Sequence, residues 1–115
     1  MKSTLQELSL KEIIFQFRSG TLSSRDLVES AIQSHKEGLG AYRDFRRDAA
    51  LEMASLADQA FRCGTDLGPL QGIPVSVKDL YGPSGTRTYA GSAKALPGAF
   101  EKEGPVISSL RRQHA

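Results

Sequence analysis

Cysteine is nearly absent. Cys63 stands alone in 115 residues, so no internal disulfide can form and no cysteine cluster can hold a metal. Long apolar runs are missing too. The opening "MKSTLQELSLKE" has no stretch that would serve as a signal peptide or membrane span, which makes a cytoplasmic protein, away from the membrane, the expectation. Neither sign of charge dominates: 15 basic and 13 acidic residues leave a net charge of +2, too weak a field to draw the chain to nucleic acid. The pairs Arg46-Arg47 and Arg111-Arg112 lie in helix-like sequence and read as solvated faces.

Familiar catalytic signatures are also lacking. There is no G-x-S-x-G elbow and no Walker-type phosphate loop. His35 and His114 have no ligand-spaced partners and read as surface or helix-end residues. Cys63, near the end of an amphipathic stretch, reads as a small apolar filler rather than a nucleophile.

What is present is an ordinary soluble composition, 39% hydrophobic and 24% charged, with a well-punctuated first half. Ser9 precedes Leu10, Ile13, Ile14 and Phe17, which recur on one helical face. Ser9 and Glu12 make a capping box, Leu8 and Ile13 a hydrophobic staple, and Gly20 a stop. The device repeats with Ser23 and Asp26, and with Leu22 and Leu27, ahead of a face of Leu27, Val28, Ala31 and Ile32. Gly38 and Gly40 break that helix. These patterns predict helices over 9–18 and 23–35. A third is predicted over 46–62, with Ala50, Met53, Ala57, Ala60 and Phe61 inward and Gly64 as its stop.

At Gly68 the grammar changes. "GPLQG" is a turn-rich connector, and "IPVSVKDL" predicts a strand over 73–78, entered through a proline. "YGPSGTRTYAGSAKALPG" then reads as a long structured loop. Pro105 suits a first helical turn, with Val106, Ile107 and Leu110 opening an apolar face. A strand apolar on both faces belongs to a helix-covered parallel sheet and needs neighbours. None is visible. The expectation is an α/β fold that is cut off: a helical region over 1–66 and the start of an α/β core over 67–115. Made alone, such a chain is expected to fold poorly or aggregate, with unpaired strand edges.

Lys78 and Asp79 end the predicted strand, and two readings fit them. One is a solvated exit from the sheet, both charges facing water. The other is a partly desolvated lysine. Desolvation disfavours an ammonium ion, so such an amine can serve as a base.

The block "GPLQGIPVSVKDLYGPSGTRTYAGS", Gly68 to Ser92, resembles the start of the core motif of the amidase signature family. There, G-P-L-x-G-I-P-hydrophobic-x-hydrophobic-K-D is followed by a turn and a T-x-A-G-S run. The likeness extends outward, to Gly20–Val28, to the Ala-rich stretch Ala49–Ala60 and to Pro105–Leu110. The resemblance implies the family's mixed-sheet core and amide hydrolysis by a Ser–cis-Ser–Lys triad, with Lys78 as the catalytic lysine. Asp79 and Ser92 match positions expected to support the site, Asp79 by accepting hydrogen bonds and Ser92 by bracing the loop. No metal or organic cofactor is implied, and the substrate would be a small-molecule amide.

The chain departs from the family in one respect. The Gly/Ser-rich segment that supplies the cis-serine, oxyanion hole and nucleophile has no counterpart here. Ser108-Ser109 lies in a predicted helix without glycines, and Ser84-Gly85 in the loop after Lys78. One member of the triad is therefore expected in this chain, and no nucleophile. Two hypotheses follow: the amino-terminal part of an amidase, or a non-catalytic product, either truncated or a small helical interaction module. Within the family, the glutaminase subunit of a tRNA-dependent amidotransferase is an alternative to a general amidase. Oligomeric state is not legible.

Overall fold

The computed structural model describes residues 5–115. Four α-helices form: α1 (Leu10–Ser19), α2 (Ser24–Ser34), α3 (Arg47–Arg62) and α4 (Pro105–Arg112). Short 3-10 turns occupy Leu5–Glu7, Glu37–Leu39 and Gly98–Glu101. The described residues divide into two compact units, one reaching to Pro74 and including Gln113–Ala115, the other Val75–Arg112.

Both predicted capping boxes are formed. The Ser9 hydroxyl accepts the Glu12 N–H while a Glu12 carboxylate oxygen accepts the Ser9 N–H at 2.7 Å. Ser23 and Asp26 exchange the same pair of bonds. The bond to Ser9 also holds the Glu12 carboxyl below its ordinary range. Gly20 closes α1 in the left-handed conformation. Each cap satisfies helix-end groups that would otherwise need water.

The first unit's core gathers Phe17, Leu22 and Leu27, with Leu5, Leu8, Ile13, Phe61 and Ile73 packed against it. Both hydrophobic staples thus end in the core. Phe17 and Phe61 meet at 5.8 Å between ring centroids. α3 turns Ala54 and Ala57 fully inward. Ala54 is not among the inward residues that the sequence predicts. Two small residues one turn apart allow a close helix approach, and α2 and α3 are further joined by polar bonds. The Asp58 carboxylate accepts the Ser24 and Arg25 N–H groups at 2.7 and 3.1 Å, so α3 caps α2.

The connector after α3 is pinned at several points. Arg18 pairs bidentately with Asp66 and donates to the Gly68 carbonyl. That guanidinium holds the Asp66 carboxyl below its ordinary range, with help from the Gly68 N–H. The buried Gln71 side chain accepts the Leu67 N–H and donates to the Thr65 carbonyl. Ser24, fully buried, donates to the Gly72 carbonyl at 2.6 Å, and the Gly72 N–H donates to the His114 carbonyl at 2.9 Å. Gly72 has φ +78°, and a Cβ there would stand 3.0 Å from the Ser24 Cβ and 3.2 Å from the Phe17 ring.

Several expectations are corrected. No strand forms over 73–78, and none forms elsewhere among the described residues. Val75 and Val77 are 43% and 38% exposed. A strand exists only through its pairing in a ladder, and no ladder forms among the described residues. The strand region expected at the start of an α/β core is therefore not formed among the described residues, whose regular elements are helices. Cys63 is exposed rather than a filler, because it is the cap residue of α3. On α4, Ile107 is buried but Val106 is 59% exposed. Ala31 and Leu10 also face solvent.

Two measurements check this arrangement. Ser24→Ala strips the buried Gly72 carbonyl of its donor and should cost about 1–3 kcal/mol; Gly72→Ala, strained in backbone and crowded by Ser24, should cost about 2 kcal/mol. Urea-unfolding midpoints read both, and an unchanged midpoint would remove Gly72 as a fixed point. The Val75 and Val77 amides should exchange with solvent nearly as fast as in an unstructured peptide, and cooperative protection there would mean that this segment is paired.

Candidate functional site

Lys78 lies in the second unit, at the end of the irregular segment that follows Pro74, and it is exposed. Its carbonyl accepts the N–H groups of Leu80 and Tyr81 at 2.7 and 3.3 Å, so the chain reverses immediately after it. Its amine forms no ion pair within 4 Å among the described residues, although an aspartate is its next neighbour.

Asp79 is directed elsewhere. Its carboxylate accepts the Tyr89 N–H at 3.0 Å and the Ala90 N–H at 3.2 Å, and its backbone carbonyl also takes the Ala90 N–H at 3.1 Å. The turn it grips runs from Tyr89 to Ser92 and is closed by the Ser92 N–H on the Tyr89 carbonyl at 2.9 Å. Ala90 and Gly91, its central residues, have φ +50° and +79°. Positive φ at both positions is the signature of a type I′ turn. Glycine takes it freely, whereas for alanine it costs about 1–2 kcal/mol. Ser92 is exposed and contributes its backbone to this turn.

The rest of the loop is braced from behind. Thr88 is 3% exposed; its hydroxyl donates to the Phe100 carbonyl at 3.1 Å, and its own carbonyl accepts the Leu96 N–H at 2.8 Å. Glu103 accepts the Ser84 N–H at 2.8 Å and both Nε and Nη2 of Arg111, at 3.2 and 2.8 Å. The Arg111 guanidinium, aided by the Ser84 N–H, pulls the Glu103 carboxyl down to about 2, and Glu103 in turn raises the Arg111 group. Lys78, Asp79 and the turn bearing Ser92 are thus brought together in one unit. Thr88 and Glu103 escaped the sequence reading of the site. Thr88 could have been singled out as the threonine of the T-x-A-G-S run; Glu103 carries no sequence signal.

The other candidates are placed as follows. The Ser84 N–H is engaged by Glu103, while the Ser108 hydroxyl lies 3.3 Å from the Pro105 carbonyl, within hydrogen-bond reach, as in an ordinary helix serine. His35 caps the end of α2 and stacks on Phe45 at 3.9 Å. His114 follows α4, half-buried. Among the described residues no group of three His, Cys, Asp or Glu side chains is gathered to hold a metal ion. No helix there is long and apolar enough to cross a membrane.

The family profile described as "Amidase" matches residues 26–115, which include the whole of this unit. The chain belongs to the amidase family. Among curated amidase relatives, 2-amino-5-chloromuconic acid deaminase of Comamonas testosteroni is 40% identical, with 92% of this chain and 24% of the relative covered. A glutamyl-tRNA(Gln) amidotransferase subunit of Syntrophus aciditrophicus is 36% identical over 76% of this chain and 19% of its own length. Its counterpart in Methylorubrum extorquens is 35% identical over 98% and 23%. The chain therefore spans about a quarter of the length of the relatives it matches. No solved structure matches it.

The depressed Glu103 carboxyl sets a pH expectation. A group whose folded value lies below its ordinary 4.5 stabilises fully above that value and loses the contribution as pH falls through about 2. The Ser84 amide should therefore stay protected from exchange down to pH ~4.5 and lose protection between there and ~2. Glu103→Gln should abolish that dependence, and an identical profile in both proteins would remove Glu103 as the anchor.

Proposed function

We propose that this chain is the lysine-bearing, amino-terminal part of an amidase that hydrolyses carboxylic amide bonds through a Ser–cis-Ser–Lys triad, with Lys78 as the base. The single observation that carries the reading is the Gly68–Ser92 block inside the family match. In the proposed reaction neutral Lys78 accepts a proton, relayed through the cis-serine, from the nucleophilic serine. The serine oxygen attacks the amide carbonyl, the C–N bond breaks, the amine leaves with a proton, and water then hydrolyses the acyl-enzyme. Both serines belong to a segment that this chain does not contain, so the chain by itself is inactive.

In that longer protein, residues 73–78 pair as a strand of the α/β core. Pairing and covering this segment would take Lys78 out of the water that surrounds it here, which is what a lysine base requires. Asp79 and Ser92 support the site through the turn described above. The substrate is a small amide, no cofactor takes part, and the protein acts in the cytoplasm without direct contact to nucleic acid or membrane.

A second reading is favoured by the amidotransferase relatives: the same lysine would serve a glutaminase subunit that releases ammonia from glutamine for a tRNA-linked partner. Glutamine against simple carboxamides, compared as substrates, separates the two.

The test needs a protein in which this chain is joined to the Gly/Ser-rich segment. Ammonia release should fall by about two to four orders of magnitude in Lys78→Ala. Lys78→Arg should be equally damaging, because a guanidinium keeps its charge and cannot act as a base. Turnover within a few-fold of the parent in both variants would make Lys78 an ordinary solvated charge.

A further inference from the structure

An aspartate beside a catalytic lysine is a hazard. A lysine amine on its four-carbon stem can reach a neighbouring carboxylate, and an amine held in an ion pair is kept charged and is not free to take a proton. Yet Lys78 has no ion-pair partner among the described residues, while both carboxylate oxygens of Asp79 are occupied by the Tyr89 and Ala90 N–H groups. The backbone that presents those donors is a turn with an alanine in the left-handed region. A less strained sequence would place glycine at that position. Ala90 also sends its N–H to the Asp79 carbonyl, so the main chain and the side chain of one residue grip the same turn.

We infer that the Tyr89–Ser92 turn withholds the Asp79 carboxylate from Lys78, so that Asp79, Ala90 and Gly91 act as positioning residues that keep the lysine amine unpaired. The inference rests on Lys78 being the base proposed above, but its geometry stands in this chain alone. The two N–H dipoles are fixed by the turn and already face the carboxylate, whereas pairing with Lys78 would require ordering a long, exposed side chain. An exposed ion pair contributes little, and two backbone hydrogen bonds to a charged acceptor outweigh it. Disrupting the turn reverses that balance.

The experiment is competitive acetylation of this chain with acetic anhydride. Labelling of Lys78 is measured by mass spectrometry relative to the exposed Lys94. Gly91→Val places a β-branched residue at positive φ and opens the turn. Ala90→Pro opens it independently, by removing the Ala90 N–H and forbidding its φ. Loss of amide protection at Tyr89 verifies the opening in both variants, and at Ala90 also in Gly91→Val. The released carboxylate should slow Lys78 labelling about two- to five-fold. Adding Asp79→Asn to the same variant should restore it, since no charge remains to be released.

A role confined to holding the loop would give the opposite pattern, with the double variant no better than the single. Unchanged labelling in an opened turn, or slowing that persists without the aspartate charge, overturns the inference. In the joined, active protein the same suppression should appear in kcat, with Gly91→Val losing about ten-fold or more and Gly91→Val/Asp79→Asn recovering part of it. If that protein hydrolyses no amide at all, the catalytic reading falls while the labelling still decides the fate of the Asp79 carboxylate.

Discussion

The hydrogen bond from the buried Ser24 hydroxyl to the Gly72 carbonyl joins two kinds of structure that otherwise have little in common. On one side are capped, amphipathic helices whose order is written in local sequence. On the other is a glycine- and proline-rich connector with no periodicity of its own. Gly72 lies so close to Phe17 and Ser24 that a methyl group there would crowd both. Its N–H and carbonyl are both taken. Asp58 completes the arrangement by holding the backbone of Ser24 from α3. The consequence is that the start of the motif segment is fixed at Gly72, even though no strand follows it among the described residues.

The legibility of the sequence followed the range of the interactions. The starts of α1 and α2 were readable to within a residue, because a capping box needs only residues three apart and both partners were in view. The core was readable where staples and helical faces coincided, as at Leu22, Leu27 and Phe17. It failed where burial depends on packing between elements: Ala54 lies inward on α3, which packs on α2, while Val106 faces outward on α4. The predicted strand is the extreme case. Val75 and Val77 have strand chemistry, but pairing is a property of two segments, and no such pair forms among the described residues. The Asp79 grip on Tyr89 and Ala90 spans ten residues of irregular chain, and no periodic pattern announces it.

The same distinction governs the site. A motif can specify that a lysine be followed by an aspartate, yet their relation depends on where a distant turn points its N–H groups. The second unit builds that relation without any sheet, through Asp79, the strained turn, buried Thr88 and the Glu103–Arg111 pair. These bonds organise the loop around Lys78 but do not desolvate the amine. On the proposed reading of Lys78 as a base, loop geometry and base strength are thus separable requirements. The first is met by local hydrogen bonds, and the second calls for surface that covers the lysine.

That separation has a physical rationale on the proposed reading. An exposed lysine is charged and harmless, and it becomes a base only when apolar surface covers it. If the loop waited for the same event to organise itself, closing the site would have to order some fifteen residues at once, at about 1–2 kcal/mol of backbone entropy each. With the turn, Thr88 and the Glu103 clasp already in place, most of that entropy is lost before the sheet is completed. The remaining step is the burial of Val75, Val77 and the lysine stem, which is favoured by removing apolar surface from water. The burial of valine side chains can then offset the cost of discharging the amine, and this is a reason for placing the lysine at the end of an apolar segment.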